Sequence, residues 1–158
     1  MSGIKIFRTL QPDKKKMTIE QVQQDIIDEF SVYTDWMDKY GYLIELGNNL
    51  KNLDPNEKID QNLIRGCQSR VWLIAEMEDG KINFRGESDA VIVKGLVALL
   101  LRVVSGRTPR ELIENNLHFI DDLGLKQHLS PTRSNGLLAM VKQIRLYAVA
   151  YNKIEGLG

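Results

Sequence analysis

At 158 residues, the chain has the length of one domain and enough residues to bury a substantial hydrophobic core. Apolar residues make up 43% and charged residues 27%, and 21 basic residues balance 21 acidic ones. This balance excludes a protein whose net charge draws it to nucleic acid or to an anionic membrane surface. The single cysteine excludes an internal disulfide and a multi-cysteine zinc or iron–sulfur site, and it favours a reducing compartment.

The sequence predicts a cytoplasmic protein without a membrane span. The longest apolar stretch, residues 90–104, contains Lys94 and Arg102, and it is too short and too charged to cross a bilayer. The N-terminus lacks the apolar run and the small-residue cleavage site of a signal peptide. Residues 1–16 are polar, locally basic and aperiodic, so we expect a flexible tail there. After this tail we expect a single domain over residues 17–152 and a short C-terminal tail over residues 153–158.

The first half of the domain is predicted to be helical. Thr18 and Gln21 form a capping box, and apolar residues then recur at helical spacing up to Phe30. A second amphipathic helix is predicted from near Asp35 to near Leu50. Residues 51–62 have the composition of a loop.

The middle of the chain changes to a strand pattern. The apolar run 71–75 and the alternating segment 82–85 flank Asp79-Gly80, a pair that adopts the positive φ angles of a hairpin turn. Leu63 and Ile64 are a candidate third strand, and Trp72 and Ile74 are expected in the core. The fold class is therefore α+β, with a small antiparallel sheet of about three strands packed against several helices.

The second half returns to helices. Residues 89–104 are apolar on nearly every side, which predicts a central buried helix with Ser88 as its candidate cap. Thr108 and Glu111 form another capping box around a proline. The last helix is predicted to begin at Ser130-Pro131 or at Ser134 and to end near Tyr151.

Two polar sets are weak candidates for chemistry. His118, Asp121, Asp122 and His128 lie close in sequence, but their spacing matches no metal-binding pattern, and surface polar residues explain them as well. Ser69 with a histidine and an aspartate would form a triad by residue type alone.

The strongest candidate is Cys67. Arg65 and Arg70 stand two residues before and three residues after it, and nearby cations lower a thiol pKa and favour the nucleophilic thiolate. Gly66 lets the backbone turn tightly and leaves the sulfur uncrowded. The alternative is that Cys67 is the first residue of a strand and packs as a small hydrophobe. The residues alone leave both interpretations open.

Five ordered segments resemble the SufE-like family, the sulfur acceptors of iron–sulfur cluster assembly. The resemblance covers about residues 17–150. The segments are 66–72 (Gly-Cys-Gln-Ser-Arg-Val-Trp), 35–36 with 42–47 (Asp-Trp and Tyr-Leu-Ile-Glu-Leu-Gly), 86–90 (Gly-Glu-Ser-Asp-Ala), 92–96 (Ile-Val-Lys-Gly-Leu) and 128–137 (His-Leu-Ser-Pro-Thr-Arg-Ser-Asn-Gly-Leu).

The resemblance implies that Cys67 takes a persulfide sulfur from a cysteine desulfurase of the SufS or CsdA type. The sulfur then passes to a SufB–SufC–SufD type scaffold. The chain itself would need no cofactor, because pyridoxal phosphate resides on the desulfurase. The protein would be a carrier and desulfurase activator more than a freestanding enzyme. A stand-alone peroxide-reducing thiol enzyme and an interaction module with an inert Cys67 are the alternatives.

Arg133 matches the arginine of the family's final motif, and physical arguments suggest its role and those of the neighbouring residues. Arg133 is expected in the first turn of the last helix, either stabilising the sulfur anion or tethering the cysteine loop. Gly66, Gln68 and Ser69 are expected to shape that loop, and Asp89 is expected to cap the buried helix. Because an exposed persulfide is lost to passing thiols, we expect Cys67 to be shielded in the free protein and to swing out on docking.

Overall fold

Residues 17–157, described by a computed structural model, form an antiparallel two-stranded sheet surrounded by helices, the predicted α+β class. The predicted tail over 1–16 lies outside the described residues. Two 3₁₀ turns, Pro55–Glu57 and Asp60–Asn62, lie between the second helix and the sheet. The elements are α1 (Ile19–Ser31), α2 (Trp36–Asn48), β1 (Val71–Glu78), β2 (Lys81–Ser88), α3 (Val91–Val104), α4 (Pro109–Glu114), α5 (Phe119–Asp122), α6 (Leu125–His128) and α7 (Pro131–Leu157).

Side-chain caps fix the starts of three helices where the sequence predicts them. The Gln21 amide donates to Thr18 Oγ1 at 3.1 Å, and the Thr18 amide donates back to the Gln21 side chain at 2.8 Å. The same reciprocal pair joins Thr108 and Glu111 at the start of α4. Asp35 caps α2 by accepting from the Asp38 amide at 2.9 Å. Each cap satisfies amide groups that the first helical turn leaves unpaired.

The hairpin forms at the predicted turn. Asp79 and Gly80 have φ angles of 53° and 78°, the paired positive values of a type I′ turn, which sets Glu78 opposite Lys81. The predicted third strand is wrong, since Leu63 makes only an isolated bridge to Trp72. The preceding 3₁₀ turn and the turn at Gly66 leave too few extended residues for a strand.

Helix α3 is the centre of the core, with eight of its residues buried. It packs against β2, α1, α2 and α7. Trp72 is buried, as predicted, while Ile74 is half-buried. The predicted capping role of Ser88 is wrong. Ala90 occupies the cap position and has no side chain that can cap the helix, while Ser88 Oγ accepts from the Ala90 amide at 3.2 Å and its hydroxyl donates to the Arg70 carbonyl at 2.9 Å. Ser88 therefore joins the sheet end to the segment that precedes β1.

Helices α2 and α3 approach each other through two glycines. A Cβ at Gly95 would lie 2.2 Å from the Leu43 carbonyl oxygen, and one at Gly47 would lie 2.8 Å from the Gly95 nitrogen. Both neighbours are backbone atoms, which a local side-chain movement cannot relieve. The close contact of α2 with the buried helix thus requires glycine at these positions.

Helix α7 runs 27 residues to Leu157, so its predicted end near Tyr151 is wrong, while the division into a domain over 17–152 and a tail over 153–158 stays a prediction. No proline or turn sequence interrupts the helix, and its exposed last turns need little packing to continue. At about 1.5 Å per residue it is roughly 40 Å long. Of the helices within 17–157, none combines the length and apolar character needed to cross a membrane.

Gly95→Ala should lower the free energy of unfolding by about 2 kcal/mol or more, because the new methyl group collides with backbone. Urea denaturation measures this loss of stability, provided that the unfolding free energy has the same dependence on urea concentration in both proteins. Gly41→Ala is the matched control, since it lies in α2 with nothing within 4 Å of the added Cβ. The control should be neutral or stabilising by up to about 1 kcal/mol. Equal stability of Gly95→Ala and wild type would contradict the close-contact account.

Candidate functional site

Cys67 lies in the loop that leads into β1, and the fold holds that loop against α7. Gly66 turns the backbone with a φ of 92°. The thiol is half-buried, and its Sγ donates to the Gly136 carbonyl in α7 at 3.6 Å. Because S–H is a weak donor, packing more than hydrogen bonding keeps the thiol in place.

Small residues on α7 make room for the loop. A Cβ on the buried Gly136 would lie 3.6 Å from Cys67 Sγ, and one on Gly66 would lie 3.6 Å from the Ala139 Cβ. Both values are ordinary van der Waals distances for an added Cβ, so the loop passes near the helix at Gly66 and at Cys67. The final-helix segment that resembles the SufE-like family supplies one of these residues, Gly136.

The predicted lowering of the thiol pKa is wrong. Burial raises the pKa of the Cys67 thiol, because desolvation penalises the thiolate, and no neighbouring charge offsets it. Arg70 is instead paired with Asp89. The Asp89 carboxylate accepts from Arg70 Nε and from the Arg70 backbone amide, at 3.1 Å each. Arg65 is exposed. Sequence proximity placed two cations near Cys67, but neither side chain stabilises the anion in this arrangement.

The Arg70–Asp89 pair anchors the downstream end of the loop. Asp89 was expected to cap α3, but its carboxylate binds Arg70 instead, and its amide donates to the Arg70 carbonyl at 3.3 Å. The upstream end is held where the Ile64 amide donates to the Val71 carbonyl at 2.8 Å. Residues 65–69 are thus a short loop between two fixed points.

The other predicted site residues make no hydrogen bond to the Cys67 sulfur within the described part of the chain. Arg133 is in the first turn of α7, as expected, with its amide donating to Ser130 Oγ at 3.3 Å. Its side chain is exposed and makes no hydrogen bond with another residue of 17–157, so neither the anion contact nor the tether is present here. Gln68 is exposed and Ser69 is half-buried. Their roles stay predictions.

The histidine and aspartate set does not converge on one point. His118 lies between two carboxylates, with Nδ1 2.6 Å from Asp122 Oδ2 and Nε2 2.8 Å from Glu20 Oε2. Asp121 pairs with Lys126, and the His128 ring stacks on Trp36 with centroids 4.1 Å apart. Within the described part of the chain, no three histidine, cysteine or acidic residues are grouped to hold a metal ion. The surface-polar interpretation accounts for these residues.

A groove of about 610 Å³ beside the cysteine loop was missed by the sequence analysis. It runs between residues 61–66 and the outer side of α7, where Leu138 and Leu146 are 44% and 52% exposed. The sequence predicts an apolar stripe on the last helix, formed by Leu137, Met140, Val141, Ile144, Tyr147 and Ala148. The sequence signal for the groove is a second set of apolar residues on α7, Leu138 and Leu146, which lies beside the buried stripe.

Comparison with known proteins agrees with this fold. Residues 24–148 match the SufE family, described as an Fe-S metabolism associated domain. The chain is 41% identical over 125 residues to an uncharacterized SufE-like protein of Rhizobium meliloti (strain 1021), covering 76% of this chain and 89% of the relative. The solution structure of a hypothetical protein from Thermus thermophilus has a TM-score of 0.66 at 20% identity, covering 82% of this chain and 94% of that one.

The class defined by the fold and the comparisons is an α+β domain associated with iron–sulfur metabolism. The chain belongs to the SufE family.

His118 should make stability pH-dependent. Its hydrogen bonds to Asp122 and then Glu20 raise its pKa above the usual 6.5. The stabilisation is therefore complete below pH 6.5 and is lost as the pH rises through the higher folded-state pKa. Urea denaturation of wild type and His118→Gln should show the larger stability difference at about pH 6 and the smaller one at about pH 9. If the stability difference between wild type and His118→Gln instead grew with pH, the predicted stabilisation by protonated His118 would be contradicted.

Proposed function

We propose that this protein accepts sulfur on Cys67 from a cysteine desulfurase and carries it to the assembly of iron–sulfur clusters. The observation that carries the proposal is the arrangement of Cys67 in a SufE-family chain. It is the only cysteine, and it lies on a short loop that is fixed at both ends and packed against α7. Family membership supplies the association with iron–sulfur metabolism.

The sulfur transfer is a thiol–disulfide-type exchange. The Cys67 thiolate attacks the terminal sulfur of a persulfide on the desulfurase, and a new S–S bond forms as the old one breaks. The desulfurase cysteine leaves as a thiolate, and Cys67 becomes a persulfide. No external oxidant or reductant is consumed. Pyridoxal phosphate acts on the desulfurase, where the persulfide is generated, and this chain contributes its thiol alone.

Partial burial of Cys67 suits a carrier more than a freestanding catalyst. Because burial raises the thiol pKa, the free protein holds little thiolate and reacts slowly with small molecules. The same contact with α7 would protect a persulfide from passing thiols. The cost is that the loop has to move before the sulfur is exchanged. Residues 65–69, between their two anchors, are the segment that moves.

The next step is delivery to a cluster scaffold of the SufB–SufC–SufD type. One thiol does not hold a cluster, which usually takes several thiolates, so the sulfur leaves this chain before the cluster is built. We place these steps in the cytoplasm, where thiols stay reduced. Arg133, at the start of α7, is proposed to meet the persulfide only after the loop has moved.

The test is cysteine desulfurase activity measured with wild type and with Cys67→Ser, followed by intact mass. Wild type should stimulate the desulfurase several-fold and gain about 32 mass units, one sulfur atom at Cys67. Cys67→Ser should do neither, since a hydroxyl is a poor nucleophile without an activating base. The variant's unfolding transition should match that of wild type, which shows that the fold is intact. Equal stimulation by both proteins would leave Cys67 without the proposed role.

A further inference from the structure

The groove beside the cysteine loop has an exposed apolar wall. Leu138 and Leu146 lie two turns apart on α7, and both remain about half exposed although they line a concave surface. Leu73 of β1 and the ring of Tyr147 contribute to the same groove. Covering exposed aliphatic side chains in a concave surface removes apolar area from water, which stabilises the complex with a partner.

The charges of the groove have one sign. Two cations, Arg65 and Lys142, line it together with four side-chain amides, and none of the described lining residues carries a carboxylate. Both cations are exposed, and neither forms an ion pair with another residue of 17–157. In a chain with equal numbers of acidic and basic residues, such a surface is complementary to an acidic ligand.

The shape of the groove suits an extended segment of polypeptide. Its lining on α7 runs from Asn135 to Tyr147, which at about 1.5 Å per residue is roughly 18 Å. An extended chain covers that length with about five residues. The side-chain amides provide donors and acceptors for the backbone of such a segment.

We propose that this groove docks an extended acidic segment of the sulfur-donating desulfurase, with apolar side chains that cover Leu138 and Leu146. The inference rests on the proposed function and adds a second contact, separate from the reacting sulfur. The desulfurase is favoured over the scaffold because it binds this protein while Cys67 is still a thiol shielded against α7. The scaffold meets the protein only after the loop has already opened.

Docking at this position acts on the cysteine loop. Arg65 and Gly66 line the groove opposite Ala139 of α7, and the space between Gly66 and Ala139 would be filled by a single added Cβ. A segment that enters between residues 61–66 and the helix presses on the loop at this point. The loop then shifts away from Gly136 and releases the Cys67 sulfur towards the donor. Groove binding and thiol release are thereby coupled.

The experiment measures the affinity of the purified cysteine desulfurase from the same genome for Arg65→Glu, Lys142→Glu and wild type. Each charge reversal should raise Kd by at least about five-fold at low salt, because an attractive pair becomes a repulsive one. The salt dependence of binding should also weaken. Lys153→Glu is the matched control, since Lys153 is exposed on the same helix three turns beyond Lys142 and should leave Kd unchanged.

Hydrogen exchange of the unmodified protein gives a second readout that does not depend on how variants fold. Desulfurase binding should protect amides of residues 61–66 and 135–147. Unchanged Kd in both charge-reversal variants, while wild type still gains sulfur, would overturn the groove proposal and leave the proposed function standing. Absence of both binding and sulfur gain in wild type would overturn the two together.

Discussion

The Cys67 thiol lies against the backbone of α7, with Sγ 3.6 Å from the Gly136 carbonyl oxygen, and the rest of the site depends on this contact. The loop reaches this contact through a positive φ at Gly66, a conformation that favours glycine, and a Cβ at Gly136 would meet the sulfur at an ordinary contact distance of 3.6 Å. The contact half-buries the sulfur, which raises the thiol pKa. The thiol is therefore partly shielded and less readily ionised, and under the proposed function a partner moves the loop.

The core provides the rigid frame for this contact. Helix α3 is buried beneath β2 and α7, and the glycine contact with α2 fixes its position. Because β1 pairs with β2 over eight residues, the start of β1 is held, and Arg70 and Asp89 tie the loop to the end of the sheet. The loop is thus the one element near the thiol that can move without disturbing the core.

Local signals in the sequence predicted most of the fold. Capping boxes at Thr18 and Thr108 and the Asp79-Gly80 turn depend on neighbouring residues only, and all three are present as predicted. The third strand, the end of α7 and the cap at Ser88 were predicted wrongly because tertiary contacts, or their absence, decide them. A strand near Leu63 needs more extended residues than the turn at Gly66 leaves.

The site was predicted less completely than the fold. The position of Cys67 was identified from the sequence, but its pKa direction was not, since burial and the pairing of Arg70 with Asp89 are tertiary properties. The groove joins residues 61–66 with residues of α7 some 70 positions later, a juxtaposition that no local pattern shows. The sequence therefore singled out Cys67 as the candidate residue, and the fold determines how exposed its thiol is.

Shielding of Cys67 in the free protein is the central claim, and its alkylation rate tests that claim most directly. The rate would be followed by mass spectrometry of the Cys67 peptide, with and without an equimolar desulfurase and in the absence of free cysteine. The account predicts slow alkylation of the free protein and clear acceleration when the desulfurase is added. Fast alkylation of the free protein, or no acceleration on adding the desulfurase, would contradict it.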